Sequence, residues 1–294
     1  MRCWLPGATL QALAWAVARL PQRLLLALGR VLAWVLWPLL RSRRRIARKN
    51  IALCFPDRDA RAQRQLADAS VTNTVVGLLE MMRAWHAPAA RLRGLYRVEG
   101  MAHLQAALAS GRGVLLVTAH FTAYELALRL LGDALGRPVR LMARDHNHPC
   151  LQAWIEASRR RVSGPTLPKK RGREPLLAAL RAGDAVGYLG DQDFSYRHVF
   201  VPFFGVPAAT LAALPDLVQA SGATALPLWC RRGDEGRYVL QVGPAWPGWP
   251  TGDAQRDAAR YMAELEQAVR QAPAQYLWAH RRFKTRPSGE APLY

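Results

Sequence analysis

At 294 residues with 51% hydrophobic content, the chain has material for one large domain or two small ones, and disorder as its main state is excluded. Forty-one Lys and Arg against 21 Asp and Glu leave a formal charge of +20, so its partners are expected to be acidic: nucleic acid, the anionic face of a membrane, or negatively charged substrates and carrier proteins. Ten Trp and an apolar N-terminus favour the membrane, because indole rings collect at the polar–apolar boundary of a bilayer.

Leu24 to Leu40 reads LLLALGRVLAWVLWPLL, apolar except for Arg30, and runs into RSRRRIARKN, with six positive residues between Arg41 and Lys49. Seventeen residues is the lower limit for a bilayer span, so a short tilted helix and an interfacial helix are both open. The basic run is expected to stay cytoplasmic either way. Residues 1–45 are therefore expected to form a membrane-anchoring segment and residues 46–294 the globular domain. A cleaved signal peptide fits less well, since Arg19, Arg23 and Arg30 interrupt the apolar stretch and the basic run follows it. A buried amphipathic helix with those arginines along one stripe is the competing reading.

Helical periodicity runs from Asp59 to Ala84. GVLLVT (Gly113 to Thr118) then reads as a buried strand, TAYELALRLLGDAL (Thr122 to Leu135) as a helix and PVRLMA (Pro138 to Ala143) as the next strand. A helix from Pro175 to Ala182 leads to the strand AVGYLG (Ala185 to Gly190) and the polar triplet DQD. Ala223 to Cys230 and Arg237 to Val242 read as strands, and Asp253 to Gln271 as a helix. The alternation predicts one α/β domain with a largely parallel central sheet flanked by helices. Ligands gather at the carboxyl ends of such strands, where His120 and Asp191 both fall.

Cys3, Cys54, Cys150 and Cys230 are scattered without a CxxC or Cys/His ligand spacing, so neither a zinc site nor a disulfide framework is indicated. All four are expected to be reduced, small and buried.

HFTAYE (His120 to Glu125) has His-x4-Glu spacing. On a continuous helix five residues turn through about 500°, leaving the two side chains roughly 140° apart, so they can pair only if His120 precedes the helix. The helix-start signal at Thr122 places it there. In that geometry the imidazole accepts a proton from a hydroxyl while the carboxylate fixes its tautomer and stabilises the imidazolium. The same residues also spell a capping box, with Glu125 reaching back to the Thr122 amide. There is no GxSxG elbow and no recognisable cysteine nucleophile, so direct attack of the hydroxyl on an acyl thioester is simpler than a covalent acyl-enzyme.

Four ordered blocks resemble the bacterial lipid A biosynthesis acyltransferases, the late lauroyl and myristoyl transferases: KNIALCFPD (Lys49 to Asp57), VTAHFTAYELA (Val117 to Ala127), DQDFSYRHVFVPFFGVPAAT (Asp191 to Thr210) and QYLWAHRRFKTRPSGE (Gln275 to Glu290). The resemblance implies a glycerolipid acyltransferase-like fold, with His120 as general base and Glu125 as its orienter. It places two further polar residues of the site at Arg159 and Asp191, where they anchor an anionic group or hold the loops around His120.

FVPFFG (Phe200 to Gly205) is expected to line the acyl tail. The basic stretch from His280 to Lys284, with Arg281, Arg282 and Lys284, is expected together with Arg286 to meet phosphates of the acceptor or an acidic carrier protein.

The implied reaction moves an acyl chain from acyl carrier protein to a hydroxyl of a lipid A precursor at the cytoplasmic face of the inner membrane, among inner-membrane lipids, and calls for no metal or other cofactor. A lysophospholipid or other lyso-lipid acceptor is the nearest alternative. A nucleic-acid-binding protein is disfavoured because the arginines are dispersed and no binding motif emerges. A non-catalytic membrane interaction protein is disfavoured by the presence of both His120 and Glu125.

Overall fold

The computed structural model describes residues 4–168 and 172–294, so Cys3 lies outside the described residues. Three helices open the chain: α1 (Trp4–Arg19), α2 (Gln22–Val35) and α3 (Arg41–Cys54). The apolar run Leu24 to Leu40 is not one helix. α2 ends at Val35, and residues 36–40 form turns around Pro38, whose ring and missing N–H oppose continuation. Leu25, Leu26, Gly29 and Ala33 of α2 face inward, and Leu25 and Leu26 join Val17 of α1 and Val76 and Leu79 of the long helix α4 (Ala60–His86) in one apolar cluster. Among the described residues no helix is long and apolar enough to cross a membrane. Of the two membrane poses left open for this segment, the spanning helix is corrected accordingly, because one face of α2 is committed to protein packing.

After α4 come α5 (Ala89–Leu92), β1 (Tyr96–Glu99), α6 (Met101–Ala109), β2 (Val114–Thr118), α7 (Tyr124–Leu135), β3 (Val139–Ala143), α8 (Pro149–Ser163), β4 (Leu167–Pro168), α9 (Glu174–Arg181) and β5 (Ala185–Leu189). The hairpin β6 (His198–Phe203) and β7 (Val206–Leu211) follows, then α10 (Leu214–Ser221), β8 (Thr224–Arg232), β9 (Tyr238–Val242) and α11 (Ala254–Gln271). Among the described residues seven strands form one sheet, in the order β1-β9-β8-β2-β5-β3-β4. Every neighbouring pair is parallel except β8 with β9. The single α/β domain with a mostly parallel sheet is as expected, while the separate β6–β7 hairpin is an addition.

β2 explains why the sheet needs helices on both faces. Leu115 and Val117 enter a core with Leu176 and Leu177 of α9, Leu214 and Leu217 of α10 and Leu265 of α11. Val114 and Leu116 enter a second core with Leu104 of α6 and Leu126 and Leu130 of α7. Each such fully buried aliphatic side chain contributes about 1.5–3 kcal/mol relative to exposure.

A buried polar cluster ties α4 to the antiparallel pair. Glu80, 0% exposed, ion-pairs with Arg232 and accepts a 2.5 Å bond from the Tyr238 hydroxyl, and Arg232 also donates to Asn73. Removing one charge there would leave the other unpaired at a cost of about 3–5 kcal/mol.

Cys54 and Cys230 are free and buried, and burial pushes the Cys230 thiol up to about 12. Cys150 departs from the expectation of reduced thiols: it sits half-buried in the first turn of α8, outside the enclosure that protects the other two, and is disulfide-bonded.

Candidate active site

β2 and β5 are parallel neighbours in a register that pairs Thr118 with Leu189. Two residues beyond that pair on each strand stand His120 and Asp191, so strand register alone brings them together at the carboxyl edge of the sheet. Asp191, 2% exposed, accepts from the His120 backbone N–H at 3.0 Å and contacts the ring Nδ1 at 2.7 Å. Burial pushes its carboxyl up, but the contacts with His120 outweigh that and hold it below the ordinary carboxylate range. An ionised carboxylate only accepts, so Nδ1 carries a proton, and in the neutral ring Nε2 is the acceptor. The Gln192 side-chain amide reaches Nε2 at 3.3 Å.

The loop carrying His120 is held by the C-terminal segment. Thr122 N–H donates to the Gln275 carbonyl at 2.8 Å, Leu277 N–H donates to the His120 carbonyl at 3.0 Å, and Phe121 bridges Tyr276. From α4, Gly77 presses on the other side: a Cβ there would lie 2.4 Å from the Thr122 carbonyl oxygen.

Glu125 occupies a different position from the one expected. α7 starts at Tyr124, so Glu125 lies in its first turn, where a carboxylate is favoured by the helix dipole. Its carboxylate takes Arg159 Nε at 2.9 Å and a second guanidinium N–H, together with the Trp85 indole N–H at 3.0 Å. Burial lowers the Arg159 pKa, but Glu125 more than compensates and the net shift is upward. The pairing of Glu125 with His120 is thus replaced by Glu125 with Arg159 and His120 with Asp191.

The two pairs meet at Tyr124, whose ring lies edge-on to the imidazole with centroids 5.6 Å apart and whose hydroxyl is pushed up by burial and by the charge of Glu125. The capping box also fails to form: Ala123 is the N-cap, without a side-chain cap bond.

The basic stretch divides. Arg282 is 2% exposed and donates to the Ala209 carbonyl and the Thr210 hydroxyl, both at 2.8 Å, so it braces β7 instead of facing a phosphate. Arg281 and Lys284 are exposed, with the Arg281 guanidinium 5.9 Å from the Tyr294 ring centroid. Phe203 and Phe204, expected to line an acyl slot, are core residues packed against Phe55 and Trp278. An apolar hollow of 280 Å³ lies instead beside Tyr188 at the end of β5, with Met142, Leu176, Leu211 and Leu217 in its wall.

Sequence reasoning passed over several residues that build this site. Asn50, 0% exposed, donates to the Trp278 and His280 carbonyls, each at 2.7 Å, and so pins the turn that carries His280. His280 Nε2 accepts from the Asp193 N–H at 3.3 Å, and burial lowers its pKa to about 4. Asp193 accepts from the Thr285 amide and hydroxyl at 3.0 and 2.9 Å. All lie inside the quoted blocks, so the blocks were the available signal, and they converge in space. Trp85 lies in none and left no signal. Among the described residues no group of three or more His, Cys, Asp and Glu is placed to hold a metal ion.

The family described as bacterial lipid A biosynthesis acyltransferase matches this chain over residues 3–285. The chain is 36% identical to the lipid A biosynthesis palmitoleoyltransferase of Escherichia coli K12, across 100% of its own length and 95% of that protein. It is 33% identical to the lipid A biosynthesis lauroyltransferase of the same organism, with the same coverage of 100% and 95%. Identity to the E. coli lipid A biosynthesis myristoyltransferase is 26%, over 99% of this chain and 89% of that one.

Proposed function

The chain belongs to the bacterial lipid A biosynthesis acyltransferases, and from that premise we propose that His120, held by Asp191, transfers a fatty acyl chain from acyl carrier protein to a hydroxyl of a lipid A precursor. The observation that carries this reading is the Asp191–His120 pair, which engages Nδ1 and leaves Nε2 as the ring nitrogen that can take a proton at the edge of the sheet. Nε2 takes the proton of the acceptor hydroxyl as its oxygen attacks the thioester carbonyl. The carbon–sulfur bond then breaks, and the imidazolium returns the proton to the departing thiolate. Asp191 stabilises the imidazolium, and its burial makes that interaction stronger than it would be in water. Glu125 and Arg159 fix the start of α7, and with it the loop.

The acidic carrier as donor is supported by the charge of +20. An amphiphilic acceptor supports a reaction at a membrane surface, and a carrier-protein donor supports the cytoplasmic face of the inner membrane. The test is transfer from lauroyl, myristoyl and palmitoyl carrier protein to a phosphorylated lipid A precursor, with His120→Ala beside wild type. A loss of about a hundredfold or more supports the base. Transfer only to a lysophospholipid, with the same His120 dependence, would move the acceptor and keep the chemistry. Transfer indifferent to His120 would end the reading.

A further inference from the structure

We propose that the side-chain amide of Gln192 and the Nδ1–H of His280 are the donors that hold the thioester carbonyl oxygen as it becomes an oxyanion, an inference that rests on the acyl transfer read above. It starts from the segment after β5, where three consecutive residues each engage an imidazole. Asp191 contacts His120 Nδ1, the Gln192 amide reaches Nε2 of the same ring at 3.3 Å, and the Asp193 N–H donates to His280 Nε2 at 3.3 Å. The charges acting on His280 include those of Asp191 and His120. One short stretch of chain thus sets two histidines around a single site.

The backbone of this stretch is clamped. Asp193 accepts from the Thr285 amide and hydroxyl, the buried Arg282 donates to the Gln192 carbonyl at 3.4 Å, and Asp191 is fixed on His120. The Gln192 side chain is held more loosely: among the described residues its one hydrogen bond is to His120 Nε2. That nitrogen must receive the proton of the acceptor hydroxyl, so the amide stands where the hydroxyl has to go. Once displaced by the acceptor, it has an N–H to donate beside the reacting carbon.

His280 supplies a donor of fixed sense. A backbone N–H only donates, so His280 Nε2 accepts, and burial keeps the ring neutral by lowering its pKa to about 4. The single ring proton is therefore on Nδ1, which has no hydrogen-bond partner among the described residues, in a ring that is only half-buried. Asn50 pins the carbonyl of the same residue at 2.7 Å. A neutral imidazole can polarise a carbonyl in this way without giving up its proton.

Other donors around His120 are bound to the protein. Arg159 is on Glu125, Arg282 on the Ala209 carbonyl and Thr210 hydroxyl, the His120 N–H on Asp191 and the Thr122 N–H on the Gln275 carbonyl. As the acceptor oxygen bonds the carbonyl carbon, Nε2 takes its proton and the carbonyl π pair moves to oxygen, where the two donors meet it. Collapse reforms the carbonyl and expels the thiolate, which takes the proton back from the imidazolium.

Steady-state transfer by the full chain should be compared with Gln192→Met, Gln192→Glu, His280→Phe and His280→Gln, with melting curves at pH 7.5. Gln192→Met and His280→Phe should each lower kcat by about a hundredfold with KM for both substrates within about threefold, as loss of one oxyanion donor does. Gln192→Glu should lose more, since a carboxylate repels the oxyanion, and His280→Gln, which keeps a donor, should recover at least about tenfold over His280→Phe. Should His280→Phe not fold, the Gln192 variants and His280→Gln still decide. A loss confined to KM, or kcat within about threefold of wild type in Gln192→Met, would overturn the proposal. Transfer that needs His120 and ignores Gln192 and His280 sinks this inference alone, whereas a wild type that transfers nothing sinks the function on which it rests.

Discussion

Asp191 holds His120 twice, through the backbone N–H at 3.0 Å and the imidazole Nδ1 at 2.7 Å, so one carboxylate positions both the main chain and the ring. Replacing it with an isosteric amide keeps the shape and removes the charge. Asp191→Asn is expected to lower kcat by about a thousandfold with little change in KM, because the amide supports the wrong tautomer and cannot stabilise an imidazolium. Steady-state kinetics with a fixed acyl donor check this. A loss confined to KM would mean that Asp191 binds substrate instead.

Glu125 makes the opposite expectation. Its carboxylate is buried against Arg159 and Trp85, so truncating Arg159 strands a charge. Arg159→Met is expected to destabilise the fold by about 3–5 kcal/mol, and Glu125→Gln/Arg159→Met to recover much of the loss. Urea denaturation of the single and double variants measures both. Were Glu125 the orienter of His120, Glu125→Gln would instead match Asp191→Asn in kcat at unchanged stability.

His280 links stability to pH. Burial lowers its pKa to about 4, whereas in the unfolded chain it titrates near the ordinary value of about 6.5. Between those values the unfolded state binds the extra proton, so the stabilisation is complete above about pH 6.5 and declines as pH falls toward 4. The full effect is on the order of 3 kcal/mol. Urea midpoints at pH 7.5, 6, 5 and 4.5 should fall in wild type and fall less in His280→Gln. Parallel curves would remove His280 from the account.

The architecture was legible because β2 and β5 are continuous apolar strands, and His120 and Asp191 each follow one of them directly. Their partnership was not legible, because it depends on β2 lying beside β5, a pairing made across 71 residues of chain that no local pattern records. The spacing of His120 and Glu125 drew attention to a neighbour in sequence, when α7 turns Glu125 toward α4 and α8. The basic stretch misled for a similar reason. Along residues 280–284 the chain turns Arg282 and Phe283 inward and Arg281 and Lys284 outward, and charge alone does not reveal which.

That division predicts unequal effects. Arg282→Ala leaves the Ala209 carbonyl and Thr210 hydroxyl without their buried donor and should cost about 2–4 kcal/mol. Arg281→Ser/Lys284→Ser should change stability by less than about 0.5 kcal/mol, as surface substitutions do. Thermal denaturation decides between them, and equal losses would mean that the outer pair is also structural.

Gly77 tests whether the His120 loop is clamped from the α4 side. Alanine is the better helix former, so by propensity alone Gly77→Ala should stabilise α4 by about 0.8–1 kcal/mol. Its Cβ would stand 2.4 Å from the Thr122 carbonyl oxygen, closer than atoms approach, and backbone offers no flexible end to swing aside. Either α4 or the loop must shift, a strain of about 1–3 kcal/mol that exceeds the propensity gain. The loop is the weaker element, since the cores anchor α4 at Val71, Val75 and Val76. The variant should therefore lose about tenfold or more in kcat, because small displacements of a catalytic base are costly, while net stability falls by no more than about 2 kcal/mol. Kinetics beside a melting curve read both, and full activity at unchanged stability would show that the loop is not held by this contact.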